Sequence, residues 1–417
     1  MTDRKSGHGD KISEAESFLL GDTALMLYPS DDQDYIIRFK PFRKFIRRVI
    51  TLNYDRQCHE QGIKNTERLI LDTVRSEGVT VVFSFPFGTD FQLSVPFYAR
   101  LRQLCKVVFW LTDDASYFDA YSRYYAQAAD LMVTTDPLAV YAYKRLGMRA
   151  LAHLDVVPNN LLRPVEIRKD IDVLFMGDMS KPGRVEQIRF LKDNGIDVRD
   201  FGIGSSGGHV PFSQLSDYFC RSRIILNFSR VSEPCWINSD EPLLNRVRQN
   251  TGRPKEAALT GSFCLSEFSP ALDSVLRIGE EIAVFYNKED LLQKVRYYLA
   301  HPEERERIAG NALKRARAEH EPEAALAATL KKVSAALAEP LPPVDYGGIY
   351  LSRSFRRKTV NSLTFSMFVM LQRGKFRYAL ETFLMLFRYG ALDFTLGFCG
   401  GLKRALLRLA ARPDSGE

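Results

Sequence analysis

A glutamate preceded by two cations, at the point where a loop turns into a helix, has the clearest chemical potential in this sequence. The residues are Arg253, Lys255 and Glu256, and they are followed by Gly261 and an apolar run at 263–265. The intervening Pro254 suits the first turn of a helix, and a glycine suits its left-handed C-terminal cap. A carboxylate placed here can accept both hydroxyls of a ribose, while the two cations can bind phosphate oxygens.

The same residues also have a purely structural interpretation. Glu256 would then only complement the helix dipole, and Arg253 and Lys255 would belong to a solvated loop. Acidic residues are common in the first turns of helices, so the segment alone does not separate the two interpretations.

A second candidate for phosphate binding follows the strand predicted at 171–176. Gly177 comes directly after this strand, and Lys181 and Arg184 stand at the start of the next helix. Free N–H groups, the positive end of a helix dipole and two cations suit a diphosphate. The alternative is an ordinary strand-to-helix turn with solvated cations. Asn227 lies near the end of a further core strand, predicted at 223–228.

The pattern Arg253-x-x-Glu256-Ala-x-x-x-Gly261-x-Phe263-x-Leu265 resembles the donor-site motif of GT-B glycosyltransferases, specifically the spore-maturation-protein-like group. The resemblance covers about residues 80–335 and continues at 172–177, 223–227 and 297–307. It implies an α/β fold of two Rossmann-like parallel-sheet domains that face a cleft. It also implies that Glu256 holds the ribose of a nucleotide-sugar.

The resemblance further implies a set of donor-binding residues. They are Gly177, Lys181, Arg184, Asn227, Arg253, Lys255 and Glu256. The nucleotide-sugar is then a co-substrate, and neither a cofactor nor a metal is expected, because cations and helix dipoles stabilise the departing diphosphate. No Asp-x-Asp motif stands at the end of a donor-domain strand, which agrees with this. Arg248 occupies the position of a second glutamate in many retaining members, which puts a retaining mechanism in doubt.

The elements that must position these residues alternate regularly from residue 63 onward. Continuous apolar runs of strand length alternate with amphipathic helices, which indicates parallel sheets covered on both faces. Ligands bind beyond the carboxyl ends of such strands. Three predicted strands of the N-terminal block are followed by polar clusters, at 88–90, 112–114 and 134–136.

Those clusters contain the candidates for a general base, which an inverting transferase needs in order to deprotonate the acceptor hydroxyl. Asp114 and Asp136 fit well as helix N-caps. Asp113 and Asp90 are less well explained by capping, and we expect one of them to be the base.

The alternation of predicted strands and helices, together with composition, divides the chain into four parts. We expect a disordered N-terminus at 1–20, an acceptor domain at 21–160, a donor domain at 161–337 and a basic amphipathic helical tail at 348–412. The polar segment 158–170, with two prolines, separates the two domains. Before residue 63 the sequence is harder to interpret. We expect a strand at 23–28 and an exposed amphipathic helix at 42–52.

The tail carries most of the positive charge of the chain. Residues 351–417 hold 12 Lys and Arg against 4 Asp and Glu, a net of +8, in a chain whose total is +7. Basic clusters alternate there with bulky apolar stretches, which favours a helix lying in the headgroup plane of an anionic membrane. A helical cap packed on the core is the alternative, and the apolar runs are too long for a nucleic-acid arm.

Taken together, the sequence predicts a glycosyltransferase that is cytoplasmic and peripheral at the inner face of the membrane. No window of 18 uninterrupted apolar residues is present, and the six scattered cysteines suit a reducing compartment. The sugar would pass from a nucleotide-diphosphate donor to a glycan or lipid-linked acceptor, in cell-surface polysaccharide biosynthesis. A nucleotide-sugar epimerase on the same fold and a non-catalytic, membrane-docking scaffold are the alternatives.

Overall fold

The structure is a computed structural model that describes residues 23–31, 37–87, 90–153, 162–230, 235–239, 244, 247–340 and 348–410. The strands in these residues form two sheets, one of six strands and one of five, and all pairs are parallel. The segment predicted to be disordered, 1–20, lies outside the described residues. The predicted domain boundaries at 160 and 337 remain predictions.

The first sheet belongs to what we call the first domain. Its strands are β1 Ala24–Tyr28, β2 Val49–Asn53, β3 Val81–Ser84, β4 Lys106–Leu111, β5 Leu131–Thr134 and β6 Ala150–Ala152, in the order β2-β1-β3-β4-β5-β6. The central strands are buried along almost their whole length. Burial on both faces explains why they are continuous apolar runs rather than alternating ones.

The second sheet belongs to what we call the second domain. Its strands are β7 Ile171–Met176, β8 Val198–Phe201, β9 Ser222–Asn227, β10 Cys264–Glu267 and β11 Ala283–Phe285, in the order β11-β10-β9-β7-β8. Strand β9 lies at the centre, between β10 and β7. The residues that follow β7, β9 and β10 therefore meet at one edge of the sheet.

Helices cover both sheets and continue beyond them. Those of the first domain are α1 Tyr54–Gln61, α2 Ile63–Ser76, α3 Val95–Leu101, α4 (Asp114–Tyr117, a π-helical turn Phe118–Ser122, and Arg123–Ala126) and α5 Pro137–Arg145. Those after β7 are α6 Arg184–Asp193, α7 Leu215–Arg221, α8 Arg253–Leu259, α9 Lys288–Ala300, α10 Pro302–Glu319 and α11 Pro322–Ala338. The C-terminal helices are α12 Arg353–Gln372, α13 Phe376–Leu386 and α14 Ala391–Ala410.

The prediction of an exposed helix at 42–52 was wrong. Val49–Asn53 is strand β2, which pairs with β1 in register Ala24 to Val49, and only Ile37–Lys44 forms a short 3₁₀ helix. Strand β2 lies at the edge of the sheet and is only partly buried. Its mixed exposure removes the continuous apolar pattern that identified the central strands.

Helix α11 packs on the first sheet, although it follows the second sheet in the chain. Its buried residues Leu326, Leu330 and Val333 join a core cluster with Met26 and Phe83 of the first sheet. The chain therefore returns across the molecule after completing the second sheet, and this return ties the two domains together.

The C-terminal helices pack on the first domain. Phe355, Leu363, Tyr378 and Leu386 are buried in the same core cluster as strands and helices of that domain. The helical cap that the sequence left as an alternative is therefore present. In the described part of the chain, no helix is both long and apolar enough to cross a membrane.

Helices α12 and α14 approach each other closely through small residues. A Cβ added at Gly401 would lie 2.5 Å from the backbone oxygen of Asn361 and 2.6 Å from Cβ of Thr364. A Cβ at Gly397 would lie 2.7 Å from the backbone oxygen of Arg357. Only glycine fits these positions, because the obstructing atoms include backbone that cannot move independently.

The opposite side of α13 and the first turns of α14 are apolar and exposed. We call this surface the apolar face, and its residues are Phe376, Leu380, Phe383, Leu384, Phe387, Leu392 and Leu396. Phe376 is 70% exposed and Leu380 is 61% exposed. A contiguous exposed apolar patch is the usual mark of an interaction surface.

The close contact of α12 with α14 gives a test of the packing. We expect Gly401→Ala to lower the free energy of unfolding by about 1–3 kcal/mol, because the added methyl overpacks the contact. Gly310→Ala in α10 is the matched control, since a Cβ there meets nothing within 4 Å. It should stabilise the protein by about 0.5–1 kcal/mol through helix propensity. Thermal denaturation of both variants makes the measurement, and equal effects would contradict the packing.

Candidate functional site

The short helix α8 presents an ion pair to the edge of the second sheet. Arg253 donates to the carboxylate of Glu256, one turn along the helix, and its second terminal nitrogen donates to the backbone oxygen of Met176 over 3.2 Å. The Arg253 guanidinium also lies 5.2 Å from the ring of Phe219. Gly261 ends this segment at φ +66°, as its predicted capping role requires. Glu256 is buried, and its carboxylate is held in a fixed position.

Arg184 lies at the start of α6 and points back over the turn after β7. Its Nη1 donates to the backbone oxygen of Asp178 over 2.9 Å, and its guanidinium lies 5.6 Å from the ring of Phe175. Burial lowers the pKa of Arg184 to about 10, which leaves it protonated at neutral pH. The charges of Asp178 and Glu267 raise this pKa, whereas the charge of Arg253 lowers it further.

Glu267, at the end of β10, is a charged residue of this edge that sequence reasoning missed. One carboxylate oxygen lies 3.0 Å from Nε of Arg248, and the other accepts from the backbone N–H groups of Ser229 and Arg230, each over 3.0 Å. Glu267 thereby fixes the start of the connection between β9 and α8. Its place directly after the apolar run of β10 was the available signal, because side chains at carboxyl ends of parallel strands face the ligand crevice.

Of the remaining donor candidates, two lie directly at this edge. Asn227 donates to Ser266 over 2.9 Å and accepts from Thr251 over 2.7 Å. Gly177 follows β7 so tightly that an added Cβ would lie 3.2 Å from Nη1 of Arg184. The edge thus combines buried hydrogen-bonding groups with a turn that leaves little room for a side chain.

The two predicted lysines lie in different surroundings. Lys181 is exposed in the turn before α6. The pKa of Asp178 is lowered by hydrogen bonds from Ser180, against the opposing effect of burial, and to a smaller extent by the charge of Lys181. Lys255 is buried, and its charge contributes to lowering the pKa of His320 at the end of α10. Their predicted roles on phosphate oxygens remain predictions.

Asp113 is one of the first-domain residues that contact the connection from the second domain. It follows β4, and its carboxylate accepts from Nε2 of Gln249. Asp113 is the one described non-glycine residue with a positive φ, +62°. It occupies the N-cap position of α4 without a side-chain capping bond. Strain of this kind clusters at functional sites.

Asp90 is the other base candidate and also lies in the first domain. Its two carboxylate oxygens accept from the hydroxyl of Tyr54 over 2.6 Å and from the backbone N–H of Gln92 over 2.9 Å. Burial raises the pKa of Asp90 to about 6. Asp114 has the same raised pKa, about 6, but is enclosed by Ser122 and Tyr143, which agrees with a structural role.

The connection between β9 and α8 reaches across to the first domain. Ile237 is fully buried in the core cluster of that domain, and Asn238 donates to the backbone oxygen of Ser116 over 2.8 Å. Trp236 packs against Phe91 and Arg404 rather than lying free in a pocket of the second domain. The carboxyl ends of the two sheets are therefore held facing each other.

Among the described residues, no three His, Cys, Asp or Glu side chains come together in a way that could hold a metal ion.

Residues 159–331 match the family described as "Glycosyl transferase-like". No curated protein sequence matches the chain. Solved structures with a similar fold include the following three. HepE of Anabaena in complex with UDP-glucose has a TM-score of 0.55 and 12% identity, over 75% of this chain and 99% of that one. Sucrose-phosphate synthase from Thermosynechococcus elongatus has a TM-score of 0.54 and 10% identity, over 76% of this chain and 100% of that one. A glycosyltransferase from Rickettsia africae has a TM-score of 0.51 and 10% identity, over 76% of this chain and 99% of that one.

These likenesses confirm the predicted α/β architecture of two parallel-sheet domains. The predicted helical C-terminal region is present in the structure as α12, α13 and α14. The likenesses extend over nearly the whole length of each of the three relatives, so both domains take part in the match. The chain has the GT-B fold, and its residues 159–331 match the glycosyl transferase-like family.

Proposed function

We propose that this protein is a glycosyltransferase that transfers a sugar from a nucleotide-diphosphate-sugar to an acceptor hydroxyl. The observation that carries the proposal is the convergence of Glu256, Arg253 and Arg184 at the carboxyl edge of the second sheet, opposite Asp113 of the first domain. One crevice then contains a carboxylate that can bind the ribose, cations that can bind the phosphates and a second carboxylate that can deprotonate the acceptor.

The donor half follows from the second domain. Glu256 accepts the ribose hydroxyls, while Arg184 and Arg253 bind the diphosphate together with Lys181 and Lys255. Gly177 and Asn227 complete the donor contacts. Because both arginines are already held by backbone oxygens and aromatic rings, little reorganisation is needed when negative charge develops on the departing diphosphate. In this scheme the cations take the role that a metal has in other transferases.

The acceptor half involves a base on the first domain. Asp113 is the better placed of the two candidates, because it touches Gln249 from the second domain and carries a strained backbone. Asp90 is held by two hydrogen bonds within the first domain. The base accepts the hydroxyl proton as the new bond to the anomeric carbon forms and the bond to the diphosphate breaks.

Arg248 and Glu267 bear on the stereochemical outcome. Arg248 stands where many retaining members of the resembled group have a glutamate, and it is paired with Glu267 over 3.0 Å. A glutamate at 248 would be repelled by Glu267. The site is therefore built around a cation at this position, and we propose the inverting outcome and membership of the spore-maturation-protein-like group.

The apolar face supports action at a membrane. It lies among Lys375, Arg377 and Arg388, and each basic residue near an anionic surface contributes about 1 kcal/mol of binding. We infer a peripheral enzyme at the inner face of the cytoplasmic membrane that builds a cell-surface polysaccharide. The acceptor would then be a glycan or a lipid-linked molecule.

The donor proposal is tested by Glu256→Ala. We expect the affinity for the matching nucleoside diphosphate to fall about 10- to 100-fold, because charged hydrogen bonds to the ribose are lost. Isothermal titration calorimetry with UDP, GDP and ADP measures it, starting with UDP because HepE was solved with UDP-glucose. Glu303→Ala is the matched control, since Glu303 is an exposed first-turn glutamate of α10. Unchanged affinity for all three nucleotides would remove the donor assignment.

The base is tested by Asp113→Asn and Asp90→Asn, side by side. We expect Asp113→Asn to lower kcat about 10²- to 10⁴-fold while nucleotide affinity stays the same, because only proton transfer is lost. Asp119→Asn is the control, an exposed carboxylate paired with Arg123. Should Asp90→Asn lose activity and Asp113→Asn keep it, the base is Asp90.

Membrane binding is tested by Phe376→Ser combined with Leu380→Ser. Deleting the helices would remove core residues, so point changes on the apolar face are the cleaner experiment. We expect wild-type protein to sediment with anionic phosphatidylserine vesicles and the double variant to stay in solution, because the apolar contact is lost. Tyr141→Ser, at a 66% exposed position of α5, is the control. Equal sedimentation of all three proteins would contradict the proposal.

A further inference from the structure

A cavity of about 320 Å³ lies between the carboxyl end of the first sheet and the C-terminal helices. Its polar side is formed by Asp55, His59, Asp90 and Gln92, and its opposite side by Phe365, Val369, Met370, Arg373, Arg404 and Arg408. Trp236 lines it from the connection that precedes α8. The first domain, the second domain and the C-terminal helices thus all contribute to one cavity.

Arg404 is the most informative residue of this cavity. Its guanidinium lies 4.1 Å from the ring centroid of Trp236 and 4.3 Å from that of Phe365, and it donates to Asn361 over 2.7 Å. Within the described residues it has no carboxylate partner. Burial lowers its pKa to about 10, so it stays a cation at neutral pH. A half-buried cation without a counter-ion favours an anionic ligand.

Other groups in the cavity point to the rest of the ligand. Arg373 and Arg408 add two exposed cations on the same side. On the opposite side, Gln92 donates to Asp55, while its own Oε1 is buried without a hydrogen-bond partner in the described part of the chain. Carboxylates, an amide and a tryptophan suit saccharide hydroxyls and a sugar face.

The size and position of the cavity limit what can enter. At about 320 Å³ it lies at the small end of ligand pockets, which holds a head group but no lipid chain. Arg373 stands three residues before Phe376, where the apolar face begins. A molecule with its head group in the cavity can therefore place its chain along that face.

We propose that this cavity binds the phosphate-bearing head group of a lipid-linked acceptor. Arg404 and Arg373 bind the phosphate, and the saccharide faces Asp90 and Gln92. The inference rests on the proposed transferase function, for which it names the class of acceptor.

Dodecyl phosphate, below its micelle concentration, is a probe that combines a phosphate with an alkyl chain. We expect saturable binding by calorimetry and a change in tryptophan emission. Trp236 and the buried Trp110 are the two tryptophans of the chain. The emission change should persist in Trp110→Phe and disappear in Trp236→Phe, and the reverse would place the probe elsewhere and overturn the proposal.

Charge variants locate the phosphate. Arg404→Gln should weaken binding of dodecyl phosphate about 10- to 100-fold. Arg373→Gln, at an exposed position, should weaken it in the same direction. Lys375→Gln is the matched control, an exposed cation outside the cavity. If Arg373→Gln and Lys375→Gln lost the same affinity for dodecyl phosphate, the probe would be attracted by the general positive charge of the surface, and the proposal would be overturned.

Two further probes distinguish the sources of the phosphate. Inorganic phosphate and dodecyl maltoside should each bind more weakly than dodecyl phosphate, because each offers only part of the head group and chain. Binding of either as tight as that of dodecyl phosphate overturns the lipid-linked assignment. Arg404→Gln should keep nucleoside diphosphate affinity, and Glu256→Ala should keep dodecyl phosphate affinity. These two variants therefore test the acceptor proposal and the donor proposal independently of each other.

Discussion

The burial of charge at the carboxyl edge of the second sheet is the constraint on which the rest of the structure depends. Glu256 and Glu267 are both buried, and each is paired with an arginine, Arg253 and Arg248. Burying an ion is costly unless it is paired and hydrogen-bonded, and such pairs add little to stability even then. Their value to the protein is therefore positional: they set fixed charges around a crevice before a ligand arrives.

That constraint also explains how the two domains are held together. Glu267 binds the backbone at Ser229 and Arg230, where the chain leaves β9, and the same connection buries Ile237 in the first domain. Helix α11 returns to the first sheet by a separate route. Glu267, at the end of β10, thus anchors the start of the connection between β9 and α8, and the far part of that connection packs in the first domain. The carboxyl edges of the two sheets therefore keep a defined separation.

Much of the fold and part of the site could be predicted from the sequence. The buried parallel strand Ile171–Met176 was predicted with the bounds that the structure has, because burial on both faces leaves a continuous apolar run. The edge strand β2 was missed, since a half-exposed strand loses that pattern. Glu267 was missed because its importance comes from contacts with residues that are distant in the chain. Arg404 contacts Trp236, which lies about 170 positions earlier in the sequence, and a local sequence pattern cannot predict such a contact.

For the C-terminal helices, too, the sequence predicts only part of what the structure shows. Helical periodicity indicates that a helix is amphipathic, but it does not state what covers its apolar side. Here one side of α13 buries Tyr378 and Leu386 in the first domain, while the other leaves Phe376 and Leu380 exposed. The sequence offered a membrane helix and a packed cap as alternatives, and a helix that packs on one side can still present the other to a membrane. The cavity containing Arg404 lies beside this arrangement, and its aromatic rings partly replace the hydration that the guanidinium loses. A folded cap, rather than a flexible tail, can therefore hold a cation over the first domain while it exposes an apolar surface next to it.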